Sequence, residues 1–189
     1  MIKNDAELEK VVEKVGGDLQ AIQDYLGTKS NSKGRVRFPR GFIHTTSTIK
    51  PKLPKINKQS LERNISYALM MTDIFRWLLI RTDITSIAKE MIIKEGICIF
   101  GSICESLSTY FLKGKDRKLS YKPRTKKFVE LGIIGNNLKN ELDWVWDTRC
   151  KEHLYGLDHP EFNHYRVRDY NRAVKAYTQF RDSLKFYFG

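Results

Sequence analysis

Cysteine pairs, long apolar runs and, over one wide stretch, acidic residues are missing from this chain, and each shortage excludes a class of protein. The three cysteines, Cys98, Cys104 and Cys150, form an odd set with no CxxC spacing. Neither a disulfide framework nor a zinc site is indicated. No stretch reaches the roughly eighteen consecutive apolar residues that a membrane span requires. Residues Met1 to Glu9 lack the apolar core of a secretory signal. A cytoplasmic protein with no membrane partner is the expectation. Internal repeats and low-complexity tracts are missing as well.

The shortage of acid is local. From Thr28 to Ser60 there are nine lysines and arginines and no aspartate or glutamate, and from Lys113 to Lys127 eight basic residues face only Asp116. Over the whole chain 34 Lys+Arg outnumber 22 Asp+Glu, a net charge of +12. Such a surface concentrates polyanions and speeds their encounter, so RNA is the expected partner. Basic loops on an otherwise ordinary protein are the plainer alternative.

What remains is helical periodicity. Leu8, Val11, Val12, Val15, Leu19, Ile22 and Leu26 recur at steps of three and four, predicting a helix from Asp5 to Leu26, capped by Asp5 and ended by Gly27. Leu61, Ile65, Leu69, Ile74, Phe75 and Leu78 predict a second over 60–81. Ile93, Ile97, Phe100, Cys104, Leu107 and Phe111 predict a third running from Asp83 to about Leu112. Inside it, Gly96 and Gly101 admit a close neighbour, since glycine there costs about 1 kcal/mol against alanine. A basic loop over 113–126 and a short helix over 127–134 follow. The next helix starts at Asn136 or Asn137 and runs to about Gly156. The last begins at Asp169 and buries Tyr170, Ala173, Val174, Tyr177, Phe180, Leu184 and Phe188.

Residues 28–58 read differently. Thr45 to Thr48 with Pro51 and Pro54 argue against a helix, and Val36 and Phe38 alternating with Arg35 and Arg37 suggest an extended arm or short strand. The expected division is therefore an N-terminal helix with a basic arm over 1–58 and an all-α bundle of about four principal helices over 59–189. Arg35, Arg37 and Arg40 in the arm, with Lys113, Lys115, Arg117, Lys118 and Lys151, are the candidate RNA contacts.

One stripe breaks its own pattern. Leu138, Leu142 and Val145 lead at helical spacing onto Arg149 and His153. Charged and titratable groups on a core-facing stripe mark functional positions, although cations near a helix C-terminus also favour the macrodipole. Histidine moves protons near neutrality and arginine forks onto phosphate oxygens. Together they suit RNA cleavage through the ribose 2′-OH, with no metal and no cofactor. His153, His159 and His164 lack the paired spacing of a metal site. Glu105 is either an edge carboxylate or a group that orients Arg149. Tyr155, Tyr165 and Tyr170 are candidates to stack on bases, although tyrosines at bundle edges usually pack with the hydroxyl in water.

The block from Lys127 through Glu141-Leu-Asp-Trp-Val-Trp-Asp-Thr-Arg149-Cys-Lys-Glu-His153-Leu-Tyr resembles the arginine/histidine helix of HEPN domains. Residues from Lys94 to Leu107 are similar to the helix packed opposite it, and those from Asp169 to the closing helix. The resemblance covers roughly residues 60 to 187. It implies an HEPN-like bundle and a dimeric, metal-independent endoribonuclease of the toxin or anti-phage defence type. An antitoxin or other regulatory partner is implied as well. Arg149 and His153 would be catalytic, with Glu105 and Cys150 in support. Cys150 stands where the family often carries asparagine, and three residues separate Arg149 from His153 where four to six are commoner. The alternative from another class is a non-catalytic module of the same fold that binds RNA or a partner.

Overall fold

The structure, a computed structural model, describes residues 1–152, 157, 160–161 and 163–189. Among these the chain is all-α, with no strand. Contacts divide it into two compact units, 1–40 and 41–189. The first contains α1, Asp5–Leu26. Asn4, rather than Asp5, caps it by accepting the Glu7 N–H, and Gly27 at φ 54° closes it. None of its residues is buried. Arg35, Arg37 and Arg40 are exposed, and no strand forms around Val36.

The second unit begins eighteen residues earlier than the expected boundary at 58/59, because residues 41–58 supply core. Ile49, Leu53 and Ile56 are buried in the same cluster as the bundle. Thr45 starts a single helical turn, α2 at Thr46–Ile49, and a 3₁₀ turn at Lys50–Lys52 accommodates Pro51 in its first positions. Four longer helices and one shorter helix follow: α3, Gln59–Arg81; α4, Ser86–Phe111; α5, Tyr121–Glu130; α6, Asn136–Cys150; and α7, Val167–Phe188.

Helix α4 is the axis of this unit and packs against α3, α6 and α7. Its whole predicted stripe, Ile93 to Phe111, is buried. Both glycines serve close packing: the Tyr170 ring lies against Gly96 and the Arg149 Cβ against Gly101. Tyr170 is buried, as its place on the last helix predicts, and donates its hydroxyl to the Thr72 carbonyl at 3.0 Å rather than to water. Gly96→Ala would drive a methyl into the Tyr170 ring edge. Overpacking of this kind costs about 1–3 kcal/mol, only partly offset by alanine's helix propensity. Urea unfolding of Gly96→Ala should therefore show a net loss of stability.

The buried face of α3 keeps Leu61, Ile65 and Leu69 of the predicted stripe against the core and adds two polar residues. Ile65, Ser66 and Thr72 are its fully buried residues. The two hydroxyls are satisfied within the helix, donating to the Glu62 and Leu69 carbonyls at 2.8 and 2.7 Å, which makes their burial inexpensive. Helix α5 starts inside what reads as a basic loop. Tyr121, Arg124, Thr125 and Phe128 form its buried face, and Pro123 sits in the first turn, where no N–H is needed.

Candidate functional site

Helix α6 buries Leu142, Val145 and Thr148 and delivers Arg149 in its last turn. The helix stops at Cys150 rather than near Gly156. Lys151 leaves helical geometry at ψ 1°, and its carbonyl is taken by the Lys94 ammonium at 2.8 Å. His153, together with Tyr155 and His159, lies outside the described residues.

Arg149 is about one-quarter exposed. Its guanidinium sits 4.9 Å from the centroid of the Trp146 ring and 3.6 Å from Glu105 Oε2. The other oxygen of Glu105 lies 3.7 Å from Arg124, which sequence reasoning missed. Both distances exceed those of hydrogen bonds, so Glu105 offsets part of the charge of two arginines without locking either into a fork. Arg124 is 5% exposed. Burial holds its guanidinium below its ordinary pKa, opposed by Glu105 and Tyr121. It also donates to the Thr109 hydroxyl. Tyr121 stacks on Trp146 at 4.6 Å, so a path of contacts joins Tyr121, Trp146, Arg149, Glu105 and Arg124.

This cluster holds an unusual share of unsatisfied atoms. Among the described residues, four buried side-chain polar atoms have no hydrogen-bond partner. Three of them, Tyr121 Oη, Arg124 Nε and Arg149 Nε, belong to this one cluster. Orphaned buried donors are rare in native proteins, and each costs about 1–3 kcal/mol. Their concentration beside two guanidiniums and one carboxylate marks a site with positive charge in excess. A signal for Arg124 existed in the sequence: it shares helical spacing with Tyr121 and Phe128, the same kind of violation that singles out Arg149.

The remaining site residues are dispersed. Lys113, Lys115, Arg117, Lys118 and Lys151 are exposed, the middle three on the 3₁₀ segment Gly114–Lys118. Lys122 is engaged with Asp147 at 2.6 Å, and Lys127 with Glu130 at 3.2 Å. His164 is exposed, with its backbone N–H on Glu90. Tyr165 is buried and donates to Glu161 Oε1 at 2.5 Å, against the expectation of a hydroxyl in water. No group of residues suited to a metal ion occurs among the described residues.

Of the three thiols, Cys150 is exposed and Cys98 and Cys104 are buried. Burial, reinforced by Glu95 and Glu152, pushes the Cys98 thiol up to about 12; burial alone pushes Cys104 up as well. The thiolate is the reactive form. Iodoacetamide on the native protein at pH 8 should therefore modify Cys150 and spare the other two, as read by peptide mass spectrometry.

No protein-family model matches the chain, and comparison with curated proteins and with solved structures finds no match. No helix of the described residues is long and apolar enough to cross a membrane.

Proposed function

We propose that the chain is a metal-independent endoribonuclease of HEPN type, acting as a homodimer in the cytoplasm as a toxin or anti-phage defence effector. The observation that carries this reading is the cluster of unsatisfied donors around Arg149. A partly exposed guanidinium held loosely by Glu105, a carboxylate it shares with Arg124, can receive an anionic oxygen. Four residues further along the chain stands His153, the proton-transfer group.

In the proposed reaction the ribose 2′-oxygen attacks the adjacent phosphorus and the bond to the 5′-oxygen breaks. His153 of one copy takes the 2′-OH proton, and the same residue of the second copy returns a proton to the leaving 5′-oxygen. Arg149 offsets the extra charge on the pentavalent phosphorus. Acid–base catalysis of this kind contributes about 10²–10⁴-fold. RNA would dock along the exposed cations of 113–118 and Lys151, and along Arg35, Arg37 and Arg40 of the N-terminal unit. A regulatory antitoxin would act by covering the same surface.

The test is incubation with structured RNA in EDTA, with end analysis of the fragments. Fragments ending in 2′,3′-cyclic phosphate and 5′-OH support the reading; intact RNA that is nevertheless retarded in a gel favours a binding module. The specific observation on the side of the module is that Arg149 already has partners in Glu105 and Trp146.

A further inference from the structure

Helix α1 carries an apolar stripe that its own unit leaves largely uncovered. Leu8, Val12, Val15, Leu19, Ile22 and Leu26 alternate steps of four and three, the heptad seam of a helix pair. The first four are exposed, and Leu26 is half-buried beside Gly34. Two more exposed apolar side chains flank the seam, Val11 and Tyr25, the second of them 86% exposed. Gly16 and Gly17 weaken the middle of the helix. No neighbouring element comes within 4 Å of where a side chain would stand at either glycine, so nothing within the chain accounts for them.

Charge narrows what can cover this face. α1 holds six acidic residues and two lysines, in a chain whose net charge is +12. RNA and anionic membranes are repelled by such a helix. The order of the seam points to a second copy. Set antiparallel to itself, α1 places Leu8 against Leu26 of the second copy, Val12 against Ile22 and Val15 against Leu19. Two-fold symmetry then repeats each of these layers.

The flanks agree with that register. Val11 falls beside Tyr25 of the second copy, and Glu9 beside Gln23. Gly16 falls beside its own counterpart, where the missing side chains let the backbones approach. One like-charged contact remains, Asp18 with its counterpart at the symmetry axis. Lys14, 3.9 Å from Asp18 on the same helix, offsets it. In a parallel pair Val11 would face Gly16, and Tyr25 would have no partner within the helix. Only the antiparallel pair covers every large apolar side chain that α1 exposes. These side chains expose on the order of 500 Å² per copy, so pairing removes about 1,000 Å² from water, the lower limit for a specific interface.

We propose that α1 is a self-association element that pairs antiparallel with α1 of a second copy. The assignment is independent of RNA cleavage and of the cluster around Arg149. It is tested by sedimentation equilibrium of the full chain over about 1–200 µM, a range that resolves micromolar association. The parent should show a reversible step to twice the mass of the next smaller species. Val12→Glu/Leu19→Glu places lone carboxylates in the seam and should weaken that step by at least about 10²-fold. α1 buries none of its residues, so the variant should keep the parental thermal transition.

Orientation is read by cross-linking in a Cys150→Ser background, which removes the exposed thiol. Val12→Cys and Ile22→Cys, oxidised separately, should stay single chains, because an antiparallel pair holds each far from its own counterpart. Mixed and then oxidised, they should form a disulfide-linked dimer containing one of each, since facing seam positions lie within disulfide reach. A chain that remains monomeric throughout the range would overturn the assignment, whatever covers α1 in its place. So would association that survives Val12→Glu/Leu19→Glu unchanged, which would put the contact on another surface. Cross-linking of either cysteine variant with itself alone would overturn the antiparallel pairing.

Discussion

Lys94→Met should lower the unfolding free energy by about 3–5 kcal/mol, the usual cost of removing one partner from a buried ion pair. Lys94 and Glu161 are 2% and 8% exposed at their side chains. The ammonium also holds the Lys151 carbonyl, and Glu161 accepts from Tyr165. One turn before Lys94 on α4, Glu90 accepts the backbone N–H groups of Asn163, His164 and Tyr165. Asn163 adopts φ 58°, a left-handed conformation that asparagine tolerates. Two side chains one turn apart on α4 thus fasten the chain on both sides of the segment that contains His153.

Lys94→Met leaves a buried carboxylate without its cation. The double variant Lys94→Met/Glu161→Gln removes both charges and should recover much of the loss. The pH dependence has a definite sign. Burial pushes the Glu161 carboxyl up, but hydrogen bonds from Lys94 and Tyr165 and the Lys94 charge outweigh it, so its pKa is lowered. A carboxylate with a lowered pKa contributes stability above the ordinary glutamate range, and that contribution is lost as pH falls through the lowered value. In Lys94→Met the orphaned carboxyl is neutralised by a proton. The gap between parent and variant should therefore narrow as pH falls. Urea titrations at pH 7 and pH 4 measure it, and a gap that widens toward acid would contradict the account.

Arg149→Ala should reduce RNA cleavage by about 10²–10³-fold, the scale set by removing a fixed donor from a developing oxyanion. Its effect on stability should stay within about 1 kcal/mol, because Arg149 is partly exposed and its pairing with Glu105 is screened. Arg124 remains beside Glu105 to keep that carboxylate matched. Arg149→Lys preserves the charge but loses the planar fork and the stacking on Trp146, and should restore only a part of the rate. A structural arginine would behave in the opposite way, with stability falling and no activity to lose.

The periodic stretches were the legible part of this molecule. The stripe from Ile93 to Phe111 is buried as its spacing predicts, because α4 is enclosed by helices on several sides and has little freedom of register. The apolar stripe of α3 packs on the core through Leu61, Ile65 and Leu69, but Ser66 and Thr72 look polar in sequence and are buried because they satisfy themselves on their own helix. Charge hid α5: the lysines around Tyr121, Arg124 and Phe128 suggest a loop, and only the spacing of those three residues betrays the helix. Prolines hid the core role of 41–58, where Ile49, Leu53 and Ile56 are anchored from within a turn-rich segment.

At the candidate site, Arg149 was visible because it stands on an apolar stripe. Its surroundings were not. The pairing of Glu105 with Arg124 and Arg149, and that of Lys94 with Glu161, join residues 19 to 67 positions apart, and no local pattern encodes them. Lys94 did carry a local sign, lying beside Ile93 and one turn before Ile97 on a buried face.

On the proposed reaction Arg149 and His153 act as one cutting unit. Single-turnover cleavage of structured RNA in EDTA, by the parent, Arg149→Ala, His153→Ala and the double variant, tests it most directly. Groups that act together lose their effect together. The parent should cut, each single variant should fall by at least about 10²-fold, and the double variant should be little worse than either. Absence of cleavage by the parent, or cleavage by His153→Ala at the parental rate, would contradict it.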